Sequence, residues 1–348
     1  MAFQKLRQYY LYFIRLCYYL DRNMIKAVSR SGFEERKFDT GDVILNYVSG
    51  PSGGLPLVLI PGQAMSWENY QLVLPKLSEY FEVYAVDLRG HGKSSWTPGA
   101  YTFNNLGRDM ITFLREVVKQ PAIVSGHSSG GVLAVWLGAY APELVRAIIS
   151  EDPPLFNAEW PRIRKLYVYQ VMETMAETLG SSNSRDLAAF FSRIKVPVKG
   201  RQKVFQFPRP VKAGLSTFLK IHKKLRPGRP VQIPFLPLQS RLLLKYAQEY
   251  DVNFSRAFLD GSAGSNFDHA NALSKISCPI LLLQANWFWH DELGLVGGMD
   301  DNDVAKVKSL VPHLRYVRVD SGHAIHLEKP KDYIRELTNF VTYSGLSE

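Results

Sequence analysis

Short apolar runs that alternate with helical segments set the main constraint on how this 348-residue chain can fold. The segments between the runs, including residues 69–77, favour helices. The runs themselves are too short for helices and occupy residues 57–60, 81–87, 122–124 and 147–150. The alternation predicts an α/β protein with a mostly parallel, doubly wound sheet and helices on both of its faces.

The alternation stops at Pro153 and Pro154, and the chain beyond them is helical in pattern and broken by prolines. Strand-like runs return at residues 279–283 and 315–319. The sequence therefore predicts three parts: an aromatic, amphipathic helical segment (1–35), a sheet domain (36–152 and 265–348) and a helical cap, or lid, inserted into that domain (153–264).

The net charge of +10 raises the question of a nucleic-acid or anionic membrane partner. No nucleic-acid motif and no dense basic block accompanies this charge. The nearest cluster, residues 220–230, runs into a proline-rich loop. We therefore predict a solvated basic surface and no nucleic-acid partner.

Residues 7–20, RQYYLYFIRLCYYL, are dense in aromatic side chains and are interrupted by Arg15. The stretch is too short and too charged to span a bilayer, and it lacks a signal-peptide cleavage site. It predicts an amphipathic helix that covers an apolar groove, forms a homodimer contact or touches a membrane surface weakly. The two cysteines, Cys17 and Cys278, indicate no disulfide framework, which is typical of a cytoplasmic protein.

A serine lies where the third apolar run meets the helix after it, in the sequence SGHSSGG of residues 125–131. The glycines at 126 and 130 permit a sharp turn that lifts the Ser128 hydroxyl clear of the sheet. The carboxyl ends of parallel strands, where this turn lies, are the ligand-binding edge of such sheets. The pattern predicts that Ser128 is a nucleophile.

A serine hydroxyl needs a base, and His323 follows the last predicted strand. A Ser–acid–His triad on this kind of sheet is expected to have its nucleophile first in the chain and its histidine last. We expect the backbone N–H groups of Gln63 and Ser129 to form an oxyanion hole. His326 is predicted to serve in packing or hydrogen bonding. No dinucleotide fingerprint, phosphate loop or complete metal-ligand spacing appears, so we expect no cofactor and no metal.

Five motifs together resemble the α/β-hydrolase fold: PGQAMSW, VDLRGHGKSS, GHSSGG, SEDPPLF and SGHAIHLEKP. The resemblance covers most of the chain outside the cap, and it implies a Ser–His–acid triad and an acyl-enzyme intermediate. It also implies that Asp87 and His91 support a loop and the sheet edge. The chain departs from the commonest pattern at Pro61–Gly62, where the family usually has His-Gly.

The acid of the triad stays open at this point. Most of the family carries it after the strand at residues 279–283, but no carboxylate follows that run at the usual spacing. Some members instead carry it at the end of the strand before the cap, where Glu151 and Asp152 lie. We favour Asp152, then Glu151 and then Asp291, although Asp152 also suits a turn before the prolines.

Aromatic side chains are frequent in the cap and just after residues 279–283, which together indicates an apolar, aromatic ligand. They are Phe156, Trp160, Tyr167, Tyr169, Phe190, Phe191, Phe205, Phe207, Phe235, Trp287, Phe288 and Trp289. The SSGG and SEDP motifs and the missing usual acid are similar to zearalenone-type lactonases. We therefore predict a carboxylic ester hydrolase or lactonase for a bulky substrate, with a macrocyclic resorcylate lactone such as zearalenone as a specific candidate.

Other functions remain open on the same residues. A serine-dependent C–C bond hydrolase would use the same triad. A haloalkane dehalogenase or an epoxide hydrolase is disfavoured, because these enzymes need Asp where Ser128 stands. A non-catalytic ligand-binding protein on this fold is disfavoured because both Ser128 and His323 are present.

Overall fold

The computed structural model describes residues 25–180, 186–198, 201–206, 208–225, 231 and 238–346. The aromatic stretch at residues 7–20 lies outside the described residues, together with Cys17, and so do Phe207 and Phe235 of the predicted cap. Within the described part of the chain, no helix has both the length and the apolar character needed to cross a bilayer.

An eight-stranded sheet forms the centre of the protein, and two hairpins lie outside it. The strands are β1 (Glu34–Asp39), β2 (Ile44–Ser49), β3 (Leu55–Ile60), β4 (Phe81–Asp87), β5 (Ala122–His127), β6 (Val145–Glu151), β7 (Val196–Val198), β8 (Arg201–Phe205), β9 (Ile280–Gln284), β10 (Phe288–His290), β11 (Gly294–Val296) and β12 (Arg315–Arg318). The sheet order is β1-β2-β4-β3-β5-β6-β9-β12. Only the pairs of β2 with β1 and β4 are antiparallel, which confirms the predicted mostly parallel sheet.

Helices connect the strands of the sheet. Besides helical residues at 25–30, they include α1 (Leu74–Leu77), α2 (Phe103–Phe113), α3 (Ser129–Tyr140), α4 (Tyr167–Leu179), α5 (Leu187–Arg193), α6 (Arg209–Leu225), α7 (Leu238–Tyr246), α8 (Val252–Leu259), α9 (His269–Ser274), α10 (Asp301–Leu310), α11 (Ile325–Glu328) and α12 (Pro330–Tyr343). Shorter turns lie at Trp67–Tyr70, Leu114–Val118, Pro142–Leu144, Arg162–Lys165 and Ser262–Gly264.

Alternate residues of each central strand enter cores on opposite faces of the sheet. Leu57 and Leu59 of β3 lie in one core, which also contains side chains of α1 and α12. Val58 and Ile60 lie in the other core, with side chains of α2, α3, α9 and α10. Because both faces are covered, every position of such a strand is buried, which is why the strands read as continuous apolar runs.

Two elements differ from the prediction. The helix expected at residues 69–77 is split into the turn Trp67–Tyr70 and α1, whose first turn contains Pro75. Proline has no backbone N–H to continue a helix from the preceding turn. Strand β1 was not predictable, because EERKFD lies exposed at the edge of the sheet and carries no apolar pattern.

Between β6 and β9, the described residues form α4 to α9 and the hairpin β7–β8 instead of further strands of the central sheet. In this segment α4 packs against α5 and α8. The second hairpin, β10–β11, follows β9 directly and reaches this layer through a bridge between Leu166 and Leu295. The chain therefore builds a second layer beside the carboxyl end of β6.

Candidate active site

Ser128 occupies a strained turn between β5 and α3. Its φ of 53° and ψ of −122° are unusual for a residue that carries a side chain. The Ser128 N–H donates to the carbonyl of Glu151 at 2.8 Å, which extends the pairing of β5 with β6 to the turn. The sheet thus holds the backbone in a conformation that it would not adopt alone.

Two glycines make this turn possible because backbone atoms approach them closely. A Cβ at Gly126 would lie 2.0 Å from the carbonyl oxygen of Gly130. A Cβ at Gly130 would lie 2.4 Å from the carbonyl oxygen of Ile60. Backbone atoms cannot yield as a flexible side chain can, so only glycine fits either position.

The residues predicted to form the oxyanion hole lie on either side of Ser128. Ser129 is the first residue of α3, where backbone N–H groups have no partner within the helix. Gln63 follows Gly62 in the loop after β3. A Cβ at Gly62 would lie only 3.0 Å from the Cβ of Ser128, so this loop packs closely against the turn at Ser128.

Asp152 follows β6 and has a left-handed φ of 40°. The backbone N–H groups of Ala285 and Gly298 donate to its two carboxylate oxygens, both at 3.1 Å. The Nδ1 atom of His323 lies 2.6 Å from Oδ2 of the same carboxylate. Asp152 is almost fully buried, so these contacts hold it in one orientation.

His323 is partly open to solvent, with 39 % of its side chain exposed. Burial lowers its pKa, but the hydrogen bond and the charge of Asp152 outweigh that effect and raise the pKa above its ordinary value. Glu151 and Glu328 contribute in the same direction. The environment therefore stabilises a charged imidazolium at this position.

Glu151 and Asp291, the other two candidate acids, lie elsewhere. The carboxylate of Glu151 faces His326, whose Nδ1 atom lies 2.8 and 2.9 Å from its two oxygens. The backbone N–H of His326 also donates to Glu151. Asp291 is exposed at the turn of the β10–β11 hairpin. Of the three carboxylates, the structure therefore brings Asp152 to His323.

The hydroxyl of Ser128 has no hydrogen bond to His323 within the described residues, and such pairs are often long in unliganded enzymes. His127 links the two positions instead. Its Nε2 lies 3.0 Å from the carbonyl oxygen of His323, and the two rings are 4.7 Å apart. A carbonyl only accepts hydrogen bonds, so Nε2 is the donor. Burial lowers the pKa of His127 well below its ordinary value, which favours this neutral form.

Sequence reasoning did not single out His127, Gly298 or the hydrogen-bonding role of Ala285. His127 is the variable residue before the serine in the turn motif, and its position was the available signal. Gly298 must be glycine because a Cβ there would lie 2.3 Å from the carbonyl oxygen of Asp152. Nothing in the local sequence around Gly298 or Ala285 indicates that their N–H groups contact a residue more than 130 positions away.

Asp87 and His91 lie in buried positions away from the His323 contacts. The carboxylate of Asp87 accepts hydrogen bonds from Asn46 and from the backbone N–H groups of Trp67 and Lys93. Burial lowers the pKa of His91 to about 4, so its ring is neutral near pH 7. These contacts join the loop after β4 to its neighbours, as the resemblance implied.

The aromatic side chains of the cap segment do not form one group. Phe156 and Phe190 are buried in the core, whereas Trp160 and Phe205 are exposed. A cavity of about 400 Å³ lies beside α4, and polar or charged residues such as Gln170, Arg193 and Lys195 contribute to its lining. That cavity does not include the residues around Ser128, so it does not test the predicted apolar ligand.

Comparison with known proteins places these observations in a family. A family model described as alpha/beta hydrolase fold matches residues 56–330. Over 323 residues the chain is 27% identical to the bifunctional epoxide hydrolase 2 of Sus scrofa, covering 86% of this chain and 53% of that protein. The chain thus spans about half the length of this relative.

Solved structures share the fold at low sequence identity. The enol-lactonase of Burkholderia xenovorans LB400 aligns with a TM-score of 0.61 and 16% identity, covering 88% of this chain and 100% of that one. A thermophilic esterase of Thermogutta terrifontis aligns with a TM-score of 0.61 and 17% identity, covering 89% and 99%. With the strained serine turn and the order of the sheet, the family match leads to one conclusion: the chain belongs to the α/β-hydrolase fold family, and its homologues support hydrolase activity.

Proposed function

We propose that this protein is a serine hydrolase that cleaves a carboxylic ester or lactone of a bulky apolar substrate through an acyl-enzyme. The observation that carries the proposal is the 2.6 Å contact of His323 with Asp152, joined through His127 to the turn that presents Ser128. A nucleophile, a base and an orienting acid at one sheet edge are the parts that acyl transfer needs.

In the proposed reaction, His323 takes the proton of Ser128 as the hydroxyl oxygen attacks the carbonyl carbon. The backbone N–H groups of Gln63 and Ser129 stabilise the resulting oxyanion. Collapse breaks the ester bond, and the leaving oxygen takes the proton from His323. Water then attacks the acyl-enzyme with the same base, which releases the acid and restores Ser128. Asp152 keeps His323 in the required tautomer and stabilises its imidazolium.

The serine favours ester chemistry over the epoxide chemistry named for the Sus scrofa relative. A carboxylate that attacks an epoxide forms an ester, which water can cleave. A serine that attacked an epoxide would form an ether, which this machinery has no means to hydrolyse. Ser128 therefore supports acyl transfer, and the named lactonase and esterase with the same fold are compatible with it.

A fluorophosphonate probe tests the nucleophile, because it phosphonylates a serine that a base has activated. We expect wild type to gain one adduct on the peptide that contains Ser128, and Ser128→Ala to gain none. Ester hydrolysis should fall by at least about 10⁴-fold in the same variant. Labelling at another residue, or full activity in Ser128→Ala, would refute the proposal.

The substrate class needs a separate assay. Wild type and Ser128→Ala are incubated with a macrocyclic aryl lactone and with an open-chain aryl ester, and products are separated by chromatography. Opening of the lactone by wild type alone would support a bulky lactone substrate. Cleavage of the ester alone would retain the serine hydrolase and remove the lactone, while cleavage of a C–C bond in a matched diketone would favour the alternative hydrolase.

A further inference from the structure

The side chain of Gln63 reaches from the loop after β3 into the cap segment. Its Nε2 donates to the hydroxyl of Tyr250 at 2.8 Å and to the hydroxyl of Ser255 at 3.0 Å. The two hydroxyls lie 2.9 Å from each other, so the three groups form a closed triangle. Both N–H bonds of the amide nitrogen therefore have partners.

The two hydroxyl groups belong to one end of α8. Tyr250 lies two residues before that helix, and Ser255 is in its first turns. Both residues are almost completely buried, so their hydroxyls are directed at Gln63 and have little contact with solvent. A buried polar triangle of this kind is costly to leave incomplete, because a lost partner leaves a desolvated donor.

The backbone around Gln63 is held by its neighbours in a conformation that needs support. Gly62 lies so close to Ser128 that a Cβ there would be 3.0 Å from the serine Cβ. Ala64, on the other side, has a left-handed φ of 56°. Because an alanine in this region is strained, contacts on the adjacent Gln63 help to keep the loop in place.

We propose that Tyr250 and Ser255 are positioning residues that hold the Gln63 side chain and so orient the Gln63 backbone N–H toward the oxyanion. The cap segment then helps to position an N–H group of the oxyanion hole, in addition to covering the active site. This inference rests on the proposed serine hydrolase function. It predicts that these hydroxyls affect stabilisation of the tetrahedral intermediate while leaving ground-state substrate binding unchanged.

A matched control exists at the same end of α8. The hydroxyl of Tyr101 donates to the carboxylate of Asp251 at 2.5 Å, and both residues are buried. This contact also joins the sheet domain to the start of α8, but it does not include Gln63. Tyr101→Phe and Tyr250→Phe therefore each remove one buried hydroxyl that contacts the same chain segment.

The experiment measures kcat, KM and the inhibition constant of an aryl boronic acid, which forms a tetrahedral adduct on an active serine. For Tyr250→Phe and Ser255→Ala we expect kcat to fall about 10–100-fold with KM changed less than about twofold. Boronate affinity should fall in parallel with kcat/KM. For Tyr101→Phe we expect both quantities to stay within about twofold of wild type.

Gln63→Leu and the double variant Gln63→Leu/Tyr250→Phe complete the test. Gln63→Leu keeps the backbone N–H and removes the side-chain contacts, so the double variant should lose no more activity than Gln63→Leu alone. Circular dichroism confirms that each variant is folded.

If Tyr250→Phe lowers the melting temperature but leaves kcat and boronate affinity unchanged, the hydroxyl is merely structural and the inference is wrong. Equal losses of kcat and boronate affinity in Tyr101→Phe would also overturn it. Fluorophosphonate labelling of wild type separates this inference from the function on which it rests. If wild type is labelled at Ser128 and Tyr250→Phe keeps full activity, only the inference fails. If wild type is not labelled, the proposed function fails.

Discussion

Glu151 and Asp152 are adjacent carboxylates that face different histidines. Glu151 ends β6 and contacts His326, whereas Asp152 turns away through its positive φ and contacts His323. Neither spacing nor residue type separates two neighbouring acids in the sequence. The backbone conformation of Asp152 decides which of the two carboxylates contacts His323.

Asp152→Asn should lower kcat by on the order of 10⁴-fold at neutral pH, because an amide no longer holds His323 in the required tautomer. Ester hydrolysis under saturating substrate measures this loss. The matched variants are Glu151→Gln and Asp291→Asn, which should retain far more activity. If Glu151→Gln were the most damaged of the three, Glu151 would be the acid of the triad.

Glu151→Gln should also move the pH profile. Asp152, Glu151, Glu328 and His127 face His323, and the carboxylates raise its pKa. His323 acts as a base only when neutral, so activity is lost as pH falls through its pKa. Removal of the Glu151 charge lowers that pKa, and the acidic limb of kcat/KM should shift to lower pH. An unchanged limb with a lower melting temperature would indicate that Glu151 has a structural role alone.

Ser128 and His323 could be predicted as nucleophile and base from sequence because each follows an apolar run in a motif of glycines and polar residues. The contact of Asp152 with His323 could not be predicted in the same way. Asn286, near its usual place, instead donates to Asp320 at 2.7 Å. Asp152 is held by backbone N–H groups, and the sequence does not indicate which residues provide them.

At the scale of elements, the strands with two buried faces were predictable and the hairpins were not. Strands β3, β4, β5, β6 and β9 each contain a continuous apolar run, so they stand out in the sequence. The hairpins β7–β8 and β10–β11 are short, and β7, β10 and β11 are only partly buried. Their sequences show neither a clear hydrophobic period nor a strong turn signal.

A buried histidine that follows the cap segment contacts a residue near the start of that segment. Nδ1 of His269, the first residue of α9, accepts a hydrogen bond from the N–H of Phe156 at 2.9 Å. Phe156 has a left-handed φ of 62°, so this contact supports a strained turn. Burial lowers the pKa of His269 to about 3.

His269→Asn should make the protein less sensitive to acid. In the native state His269 stays neutral down to about pH 3, whereas the unfolded chain protonates it near its ordinary pKa of 6.5. The unfolded state therefore binds more protons, and this residue's contribution to stability is lost as pH falls from 6.5 toward 3. Between pH 6 and 4 the free energy of unfolding falls by up to about 1.4 kcal/mol per pH unit for a fully buried group.

Urea unfolding at pH 7 and pH 5 measures this effect. The difference in unfolding free energy between the two pH values should be smaller in His269→Asn than in wild type, because asparagine keeps an acceptor near the Phe156 N–H but does not titrate. The exposed His313 offers a control, and His313→Asn should behave as wild type. Equal pH dependence in all three proteins would contradict the assignment.

At the scale of the whole molecule, the sheet separates two hydrophobic cores. Leu59 and Ile60 are consecutive residues of β3, both fully buried, and each packs in a different core. Leu59→Ala and Ile60→Ala should therefore each lower the unfolding free energy by about 2–5 kcal/mol. Ile44→Ala, at a position 43% exposed in β2, should cost clearly less. Urea unfolding at neutral pH measures all three.

The mostly parallel sheet could be predicted from the apolar runs that alternate with helical segments outside the cap, and the fold family from five motifs in the same part of the chain. The cap could be bounded only as the segment where those patterns stop. Its inner surface depends on contacts such as Gln63 with Tyr250, which join residues 187 positions apart. Local sequence carries little information about such pairs, so these contacts could not be predicted from it.

Asp152 is followed at once by Pro153, so the carboxylate that holds His323 and the entry to the cap segment are consecutive in the chain. Replacement of the cap segment would therefore affect the Asp152 contacts differently at the two ends of the segment. In a chimera, the junction at the end of the cap segment, near Gly261, is remote in sequence from Asp152. The junction at the start of that segment disturbs Asp152 unless it lies beyond Pro154. A chimera that keeps Asp152, Gly298 and the hydrogen bond between them should retain the contact of Asp152 with His323.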